Sequence, residues 1–391
     1  LEFVWILVFG IWSFQTGALS TRRSRMKILV IAMSGIGDTL IATPLLHELR
    51  ANFPDAQIDV LAMWAGARDL LEGNPHINRV HQKNIIKEGV LSSMPFLSQL
   101  RRERYDLSLN AHTQGRWAYR AVAAFIGAKR RVGHAYDNTN WLDRTWFMDA
   151  MVAEDYTVHS IENNNRLLPL IGAKPMLASH EMELFLTPAE EQFALEFVTP
   201  NQLSSRRVLG VHVGSGGTKN LMLKRWPLAH YIELFKRLTA AQPQLAVLLF
   251  GGPEEREAHT RIRTEVASAN ILVPETRNLR QAAALMKHCH AFLSVDTALM
   301  HLAAALKVPN QIVIEAMTLN PTNYPHDNNF KMVRNPVVNG RNLDYYRYNG
   351  KPIQGTDEEL IAAMASVKVE DVYRAVMEAV PRSKIQDPNT K

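Results

Sequence analysis

A chain of 391 residues is long enough for two ordinary domains, each with its own core. Hydrophobic and charged fractions of 47% and 21% are those of a soluble globular protein, and a single cysteine, Cys289, excludes an intramolecular disulfide. The net charge of +6 is modest but uneven: Val90 to Ala135 holds eight Lys or Arg against two Asp or Glu, so this segment alone carries +6. Such a basic face suits an anionic substrate or a membrane surface, and no nucleic-acid-binding signature accompanies it. Cys289 has no local feature that would activate a thiol and reads as a small buried apolar residue.

Phe3 to Ser20 carry no charge and are apolar at first, but Arg22, Arg23 and Arg25 follow the apolar run, the reverse of a secretory signal. The run is short for a membrane span. Residues 1–25 are expected to lie outside the fold, as upstream translated sequence or as a weak anchor with its arginines on the cytoplasmic side.

The segment Lys27–Arg50 organises the rest of the chain. Ile28, Leu29, Val30 and Ile31 form a run too short for a helix and rich in β-branched residues, which predicts a strand buried on both faces. The run breaks at Ser34-Gly35-Ile36-Gly37, and apolar positions then recur at helical spacing. Strand, glycine turn and helix make the first unit of a nucleotide-binding fold. The glycine pattern is not the dinucleotide one, because Asp38 follows Gly37 and a carboxylate there repels a pyrophosphate. Asp38 reads either as a general base facing a substrate hydroxyl or as a helix cap. Pro44 opens a regular helix capped by Thr43, or kinks it.

Further strands are predicted at Gln57–Met63, Tyr105–Asn110 and Lys129–Gly133, with helices between them, including Leu91–Arg104. Residues from about Asp137 to Leu186 are less regular, with aromatic patches around Trp141 and Trp146. Thr187–Val198 reads as a helix and Thr199–Arg206 as a linker. The pattern then restarts, with strands at Arg207–Val213, Leu245–Phe250, Ala291–Val295 and Gln311–Ile314 and a helix at Ala298–Leu306. Two successive α/β halves imply two Rossmann-like, doubly wound domains facing across a cleft. The expected divisions are an extension over 1–25, a first domain over 26–200, a second over 206–350, and C-terminal helices and tail over 357–391, with helices in Asp357–Val380 packing back across the junction.

Several loops of the second half end strands and so face one crevice. Ser215, Gly216, Gly217 and Thr218 offer amides and hydroxyls to phosphate oxygens, and Gly251 and Gly252, where the strand Leu245–Phe250 ends, are further donor-side candidates. Lys224 stands just before a helix, where it can place a point charge on a pyrophosphate. Asp296 and Thr297 head the Ala298 helix, whose N-terminus favours an anion, and His301 adds a donor near its first turn. Simple caps, turns and a core histidine would leave the same pattern. No Asp-x-Asp pair, zinc-spaced Cys/His cluster, nucleotide-hydrolysis loop or nucleophile elbow is present. A leaving diphosphate would then be stabilised by Lys224, amides and helix dipoles, without metal or cofactor.

These residues, with SGIGDTLIATPLLHELR, GAKRRVGH, KRWP, FGGPEE and NLRQAAALMKHCHAFLSVDTALMHLAAAL, resemble glycosyltransferase family 9, the bacterial heptosyltransferases of lipopolysaccharide core assembly. The likeness runs from Met26 to about Pro309, and EELIAAMASVKVEDVY is similar to the family's C-terminal helix. The resemblance implies a GT-B fold with the donor mainly on the second domain and the acceptor on the first. It also implies inverting, metal-independent transfer of a sugar from a nucleoside-diphosphate sugar, typically ADP-heptose. It places Asp38 as the base, Lys224 on the donor phosphates, and Asp296, Thr297 and His301 in the donor-binding motif. On the acceptor side stand Gly35 and Gly37, and the basic residues Arg116, Arg120, Lys129, Arg130 and Arg131 are assigned there by their charge, for an anionic lipid-linked sugar at the cytoplasmic face of the inner membrane. The chain is expected to be a cytoplasmic, membrane-peripheral monomer with no nucleic-acid partner. Three features depart from the family: Ala298 stands where glycine is usual, the stretch from Ser215 to Lys224 is long, and Glu315-Ala316-Met317-Thr318 replaces Phe-Gly-Pro-Thr. They leave open another nucleotide-sugar donor for a different surface glycan, or a nucleotide-sugar-binding protein without turnover.

Overall fold

The computed structural model describes residues 25–326 and 330–380, so the expectation for the first 24 residues lies outside the described part. The apolar runs form two sheets. In the first unit, β1 (Lys27–Ala32), β2 (Gln57–Ala62), β3 (Arg79–Gln82), β4 (Leu107–Asn110), β5 (Arg130–Ala135) and β6 (Ala150–Ala153) lie in the order β3-β2-β1-β4-β5-β6. In the second, β7 (Arg207–His212), β8 (Leu245–Phe250), β9 (Ile271–Leu272), β10 (Ala291–Ser294), β11 (Gln311–Ile314) and β12 (Phe330–Val333) lie in the order β12-β11-β10-β7-β8-β9. Every pairing in both sheets is parallel. Read from their own first strands, the two sheets have one and the same strand order.

That order fixes where ligands go. In each sheet the winding reverses beside the first strand, between β1 and β4 and between β7 and β10, and the crevice opens at the carboxyl ends of those strands. The strands are buried on both faces, as a parallel sheet covered by helices requires: Ile28, Leu29, Val30 and Ile31 are fully buried, as are Val247 and Leu248. Cys289 is buried beside β7, where a side chain at Gly210 would press on its sulfur, and burial pushes its thiol pKa up.

The chain leaves the first unit through residues 172–187, which are tied to the helix Thr43–Asn52. The buried Glu48 carboxylate accepts from Met176 N–H (2.8 Å), Leu177 N–H (2.9 Å) and His180 Nε2 (2.9 Å). The helix Pro188–Val198, placed by sequence with the first domain, packs on the helix Leu279–Met286 of the second, and Ala194 and Val198 share a core with Leu285 and Phe292. The C-terminal helices Asp357–Ala365 and Val369–Ala379 also stay on the second unit rather than crossing the junction. Their apolar faces (Leu360, Met364, Val372, Val376) are buried with Leu234, Leu238 and Ile314, and Trp226 Nε1 donates to Val367 O (2.9 Å).

Candidate functional site

Asp38 is the third residue of the helix Ile36–Ile41, which begins directly after β1. The Gly35 N–H donates to its Oδ2 (2.7 Å), so the carboxylate does close the helix start, from inside the first turn rather than at the cap. Its other oxygen has no hydrogen-bond partner among the described residues. The capping and base readings are therefore both open to one side chain, one oxygen for each. Pro44 lies in the first turn of a second helix, Thr43–Asn52, and Thr43 donates to Leu40 O (2.7 Å) instead of capping it.

The second unit supplies the opposite wall. Thr297 occupies the cap position of the helix Ala298–Ala305, but its hydroxyl pairs with His212 Nδ1 (3.1 Å) at the end of β7. Lys224 and Asp296 are buried together, with Nζ 3.2 Å from Asp296 Oδ2 and 3.3 Å from Thr318 Oγ1, and Thr318 also donates to Asp296. Burial alone would push the Asp296 pKa up; Lys224, His301 and Thr318 outweigh it and hold the carboxyl below the usual carboxylate range. His301 is driven down by burial against the attraction of Asp296 and Asp38, and its Nδ1 is buried without a hydrogen bond among the described residues.

The two walls touch at Gly37. A Cβ there would lie 2.7 Å from His301 Cδ2 and 3.3 Å from Ala298 Cα, so only glycine admits this approach. A segment of the second unit also reaches over the first: Tyr348 N–H donates to Tyr156 Oη (3.1 Å) and Asn138 Nδ2 donates to Asn349 O (2.9 Å), while Tyr348 Oη is held within its own unit by Thr322 Oγ1 (2.9 Å). Gly115 lies directly under Tyr348 O, where no side chain fits.

The glycine loops divide. Gly216 and Thr218 are exposed, and among the described residues a Cβ at Gly216 would meet only the side chain of Leu221. Ser215 is committed to the loop itself: its hydroxyl donates to Leu221 O (2.9 Å) and accepts from Arg225 Nε (3.1 Å). Gly251 and Gly252 are a correction. The Gly252 N–H donates to Glu255 Oε2 (2.8 Å), and a Cβ at Gly251 would meet the same side chain, so the loop's own carboxylate takes the amide and the space expected for the donor.

The basic set is corrected further. Arg130 and Arg131 open β5 at its amino end, about 16 Å along the strand from the crevice edge. There Arg131 pairs with Asp149 (2.8 Å), Arg130 donates to Leu170 O (2.9 Å) and Lys129 pairs with Asp106 (2.7 Å). Arg120 is buried and grips Asp143 with two bonds of 2.7 and 3.0 Å. Of the set only Arg116, in the loop after β4, stands at the cleft, close enough to act electrostatically on Tyr346 and Lys219 of the second unit. Pairing partners far apart in sequence decide these cases, which charge counting does not see.

Sequence reasoning passed over His212, Thr318, Tyr346 and Tyr348. The first two end or follow β7 and β11, a position that marks them by the same rule that marked Asp296. It also passed over a buried pair behind the β4 loop: His112 Nε2 lies 2.8 Å from Glu154 Oε1, and its Nδ1 lies 3.0 Å from Ser160 Oγ. Burial pushes Glu154 up to about 8 and His112 down to about 3. Between those values the pair holds one proton and no net charge. Among the described residues, His47, His76 and Glu183 gather at metal-ligand spacing, at the connector between units rather than beside Asp38. Their imidazoles are stacked, 3.8 Å between centroids and 15° between planes, so the two rings' lone pairs do not converge on one point.

The description "Glycosyltransferase family 9 (heptosyltransferase)" matches residues 94–337. The chain is 31% identical over 302 residues to lipopolysaccharide heptosyltransferase 2 of Escherichia coli K12, a match covering 73% of this chain and 81% of that protein. Its backbone superposes on a family 9 glycosyltransferase of Veillonella parvula with a TM-score of 0.69 at 19% identity, covering 91% of this chain and 97% of that one. Against the E. coli ADP-heptose lipopolysaccharide heptosyltransferase II the TM-score is 0.63 at 22% identity, covering 91% and 98%. These structures carry the fold, GT-B, in which two Rossmann-like units face each other. A crevice walled by one carboxylate from the first unit and a Lys-Asp-Thr-His set from the second, on such a scaffold, makes this chain a glycosyltransferase that belongs to glycosyltransferase family 9, the heptosyltransferase family.

Proposed function

We infer that this chain moves a heptosyl group from ADP-heptose to an inner-core lipopolysaccharide acceptor, with inversion and without a metal ion. The observation that carries the reading is the meeting at Gly37 and Ala298, which brings Asp38 of one unit against the donor-side residues of the other. The names of the relatives supply the sugar and the acceptor class.

The reaction is a single displacement. Asp38 takes the proton of an acceptor hydroxyl through its free oxygen while that hydroxyl oxygen bonds to the anomeric carbon. The bond from that carbon to the diphosphate breaks on the opposite face, and ADP leaves with the electron pair. Lys224, held in place by Asp296 and Thr318, sets its charge beside the departing diphosphate. The exposed Gly216–Thr218 loop and the N-terminus of the Ala298–Ala305 helix add dipoles of the same sense. The units close over the cleft through the Tyr348 segment, which keeps water from the donor.

The test is ADP release from ADP-heptose with and without a deacylated, Kdo-bearing lipid A core. Asp38→Asn is expected to keep donor affinity and lose at least ~100-fold in acceptor-dependent release, the range of a missing general base. Release that survives in Asp38→Asn would remove Asp38 from this role, and donor binding without acceptor-dependent release in the parent chain would point to another acceptor.

A further inference from the structure

We propose that Tyr156 is a positioning residue for the transfer: it holds a strap of the second unit, residues 346–353, on the first unit, and the strap pins the donor-side loop over the cleft. The kinetic consequence rests on the reaction proposed above, and the coupling rests on hydrogen bonds alone. The strap follows the short helix Asn342–Tyr345 and precedes the helix Asp357–Ala365. Its sequence, YRYNGKPI, contains a left-handed glycine (Gly350, φ 87°) and a proline, and neither helix nor strand forms in it. Its backbone groups must find partners outside regular structure, and they find them on two walls.

The first wall is the acceptor-side unit. Tyr348 N–H donates to Tyr156 Oη (3.1 Å), and Asn138 Nδ2 donates both to Asn349 O (2.9 Å) and to Gly115 O (2.8 Å). The Tyr348 ring lies nearly parallel to that of Tyr156, 9° between planes and 6.0 Å between centroids, and meets the His112 ring edge-on at 5.4 Å. The Arg347 guanidinium lies 5.3 Å from the centre of the Tyr156 ring and pairs with Asp137 (3.2 Å). Tyr156 is backed in turn by Glu154, which His112 Nε2 holds at 2.8 Å. Burial and the Glu154 carboxyl raise the Tyr156 pKa, so the hydroxyl keeps its proton and accepts the Tyr348 bond as a neutral phenol.

The second wall is the donor loop. Ile353 N–H donates to Asn220 Oδ1 (2.9 Å), Asn220 Nδ2 donates to Ile353 O (3.0 Å), and Lys219 Nζ donates to Lys351 O (2.9 Å). Lys219 and Asn220 directly follow the exposed Gly216–Thr218 loop. Lys219 takes a left-handed backbone (φ 56°), a conformation that a lysine keeps only where its neighbours hold it. The strap supplies that hold, and Tyr156 anchors the strap. Losing the Tyr348 bond therefore frees the loop whose dipoles face the departing diphosphate, and opens the cleft to water. A water oxygen then bonds to the anomeric carbon in place of the acceptor oxygen, and ADP leaves with the electron pair beside free heptose. A residue that only stabilised the first unit would lower transfer and hydrolysis together.

The test compares the full chain with Tyr156→Phe, which keeps the ring and removes only the accepting oxygen. Amide hydrogen exchange without substrate is expected to speed at least ~10-fold at Tyr348 and also at Ile353, with the amides of β1 and β7 unchanged. With ADP-heptose and the deacylated acceptor, kcat for transfer is expected to fall at least ~10-fold while the ratio of free heptose to transferred heptose rises several-fold. Asn220→Ala, at the other end of the strap, is expected to do the same, and the double variant to lose no more than about the worse single one, because both cut one connection. Unchanged exchange at Ile353 in Tyr156→Phe overturns the proposal, as does an unchanged ratio of hydrolysis to transfer or full additivity in the double variant. Faster exchange at both amides in a chain whose parent transfers nothing would sink the transfer reaction and leave the coupling standing.

Discussion

Asp38 and Lys224, read from the sequence as a base and a phosphate ligand, both hold structure as well. Lys224 is half of a buried pair, so its removal leaves Asp296 buried without its cation, with Thr318 as its remaining donor. Lys224→Ala is expected to cost about 3–5 kcal/mol in stability by denaturant titration, besides weakening donor binding. Adding Asp296→Asn removes the unpaired charge and is expected to restore most of the stability but none of the donor affinity. At Glu154, folding raises the pKa from 4.5 to about 8 because the group is buried. A group shifted upward contributes stability that is full below its unfolded value and is lost as pH rises through the folded one. Glu154→Gln should therefore flatten the fall in melting temperature between about pH 4.5 and pH 8; an unaltered slope would show that the carboxyl ionises freely.

At the scale of elements, legibility followed burial. Among the described residues the eight inner strands were all readable, most of them because burial on both faces leaves a largely apolar run, as in LAVLLF. The four missed strands are β3, β6, β9 and β12, which are the edges of the two sheets. They are two to four residues long; RVHQ carries little apolar pattern, and AMVA, though apolar, is too short to mark a strand by itself. The helix Ile36–Ile41 shows the limit on glycine. Gly37 reads as turn chemistry in sequence, yet its necessity comes from His301 and Ala298, 264 and 261 residues onward. Gly37→Ala is expected to push the facing helices apart and lower kcat at least ~10-fold, while each unit keeps its fold; near-wild-type turnover would show that closure tolerates a methyl group there.

For the whole molecule, the junction depends on Arg280. It is buried, pairs with Glu190 at the start of the crossing helix, and donates to Asp69 O (3.1 Å) and Glu72 O (2.8 Å) of the first unit and to Phe185 O of the connector. One guanidinium thus satisfies three segments, which a planar five-donor group does and an ammonium does not. Arg280→Met is expected to lower the melting temperature by several degrees and to speed protease cleavage within residues 172–187, since about 3 kcal/mol of buried bonding is lost. An unchanged cleavage rate would place the strength of the junction in the apolar core around Leu285 and Phe292 instead.

Local signals, then, were enough for the class of fold, the inner strands and the residues at strand ends, because burial and glycine turns leave their mark within a few positions of the chain. The family resemblance of those same segments carried the reaction type. What tertiary structure alone decided was partnership. Arg120, Arg130 and Arg131 look like free cations in a basic segment, but Asp143, a backbone carbonyl and Asp149 have claimed them. Gly251 and Gly252 look like a donor-side loop, but Glu255 has filled it. Trp141 and Trp146 lie in a stretch that looks irregular in sequence, and both are exposed while Asp143 between them turns inward to Arg120. A charge or a ring takes its meaning from what lies within about 4 Å, and for groups far apart in the chain that distance is set by the fold.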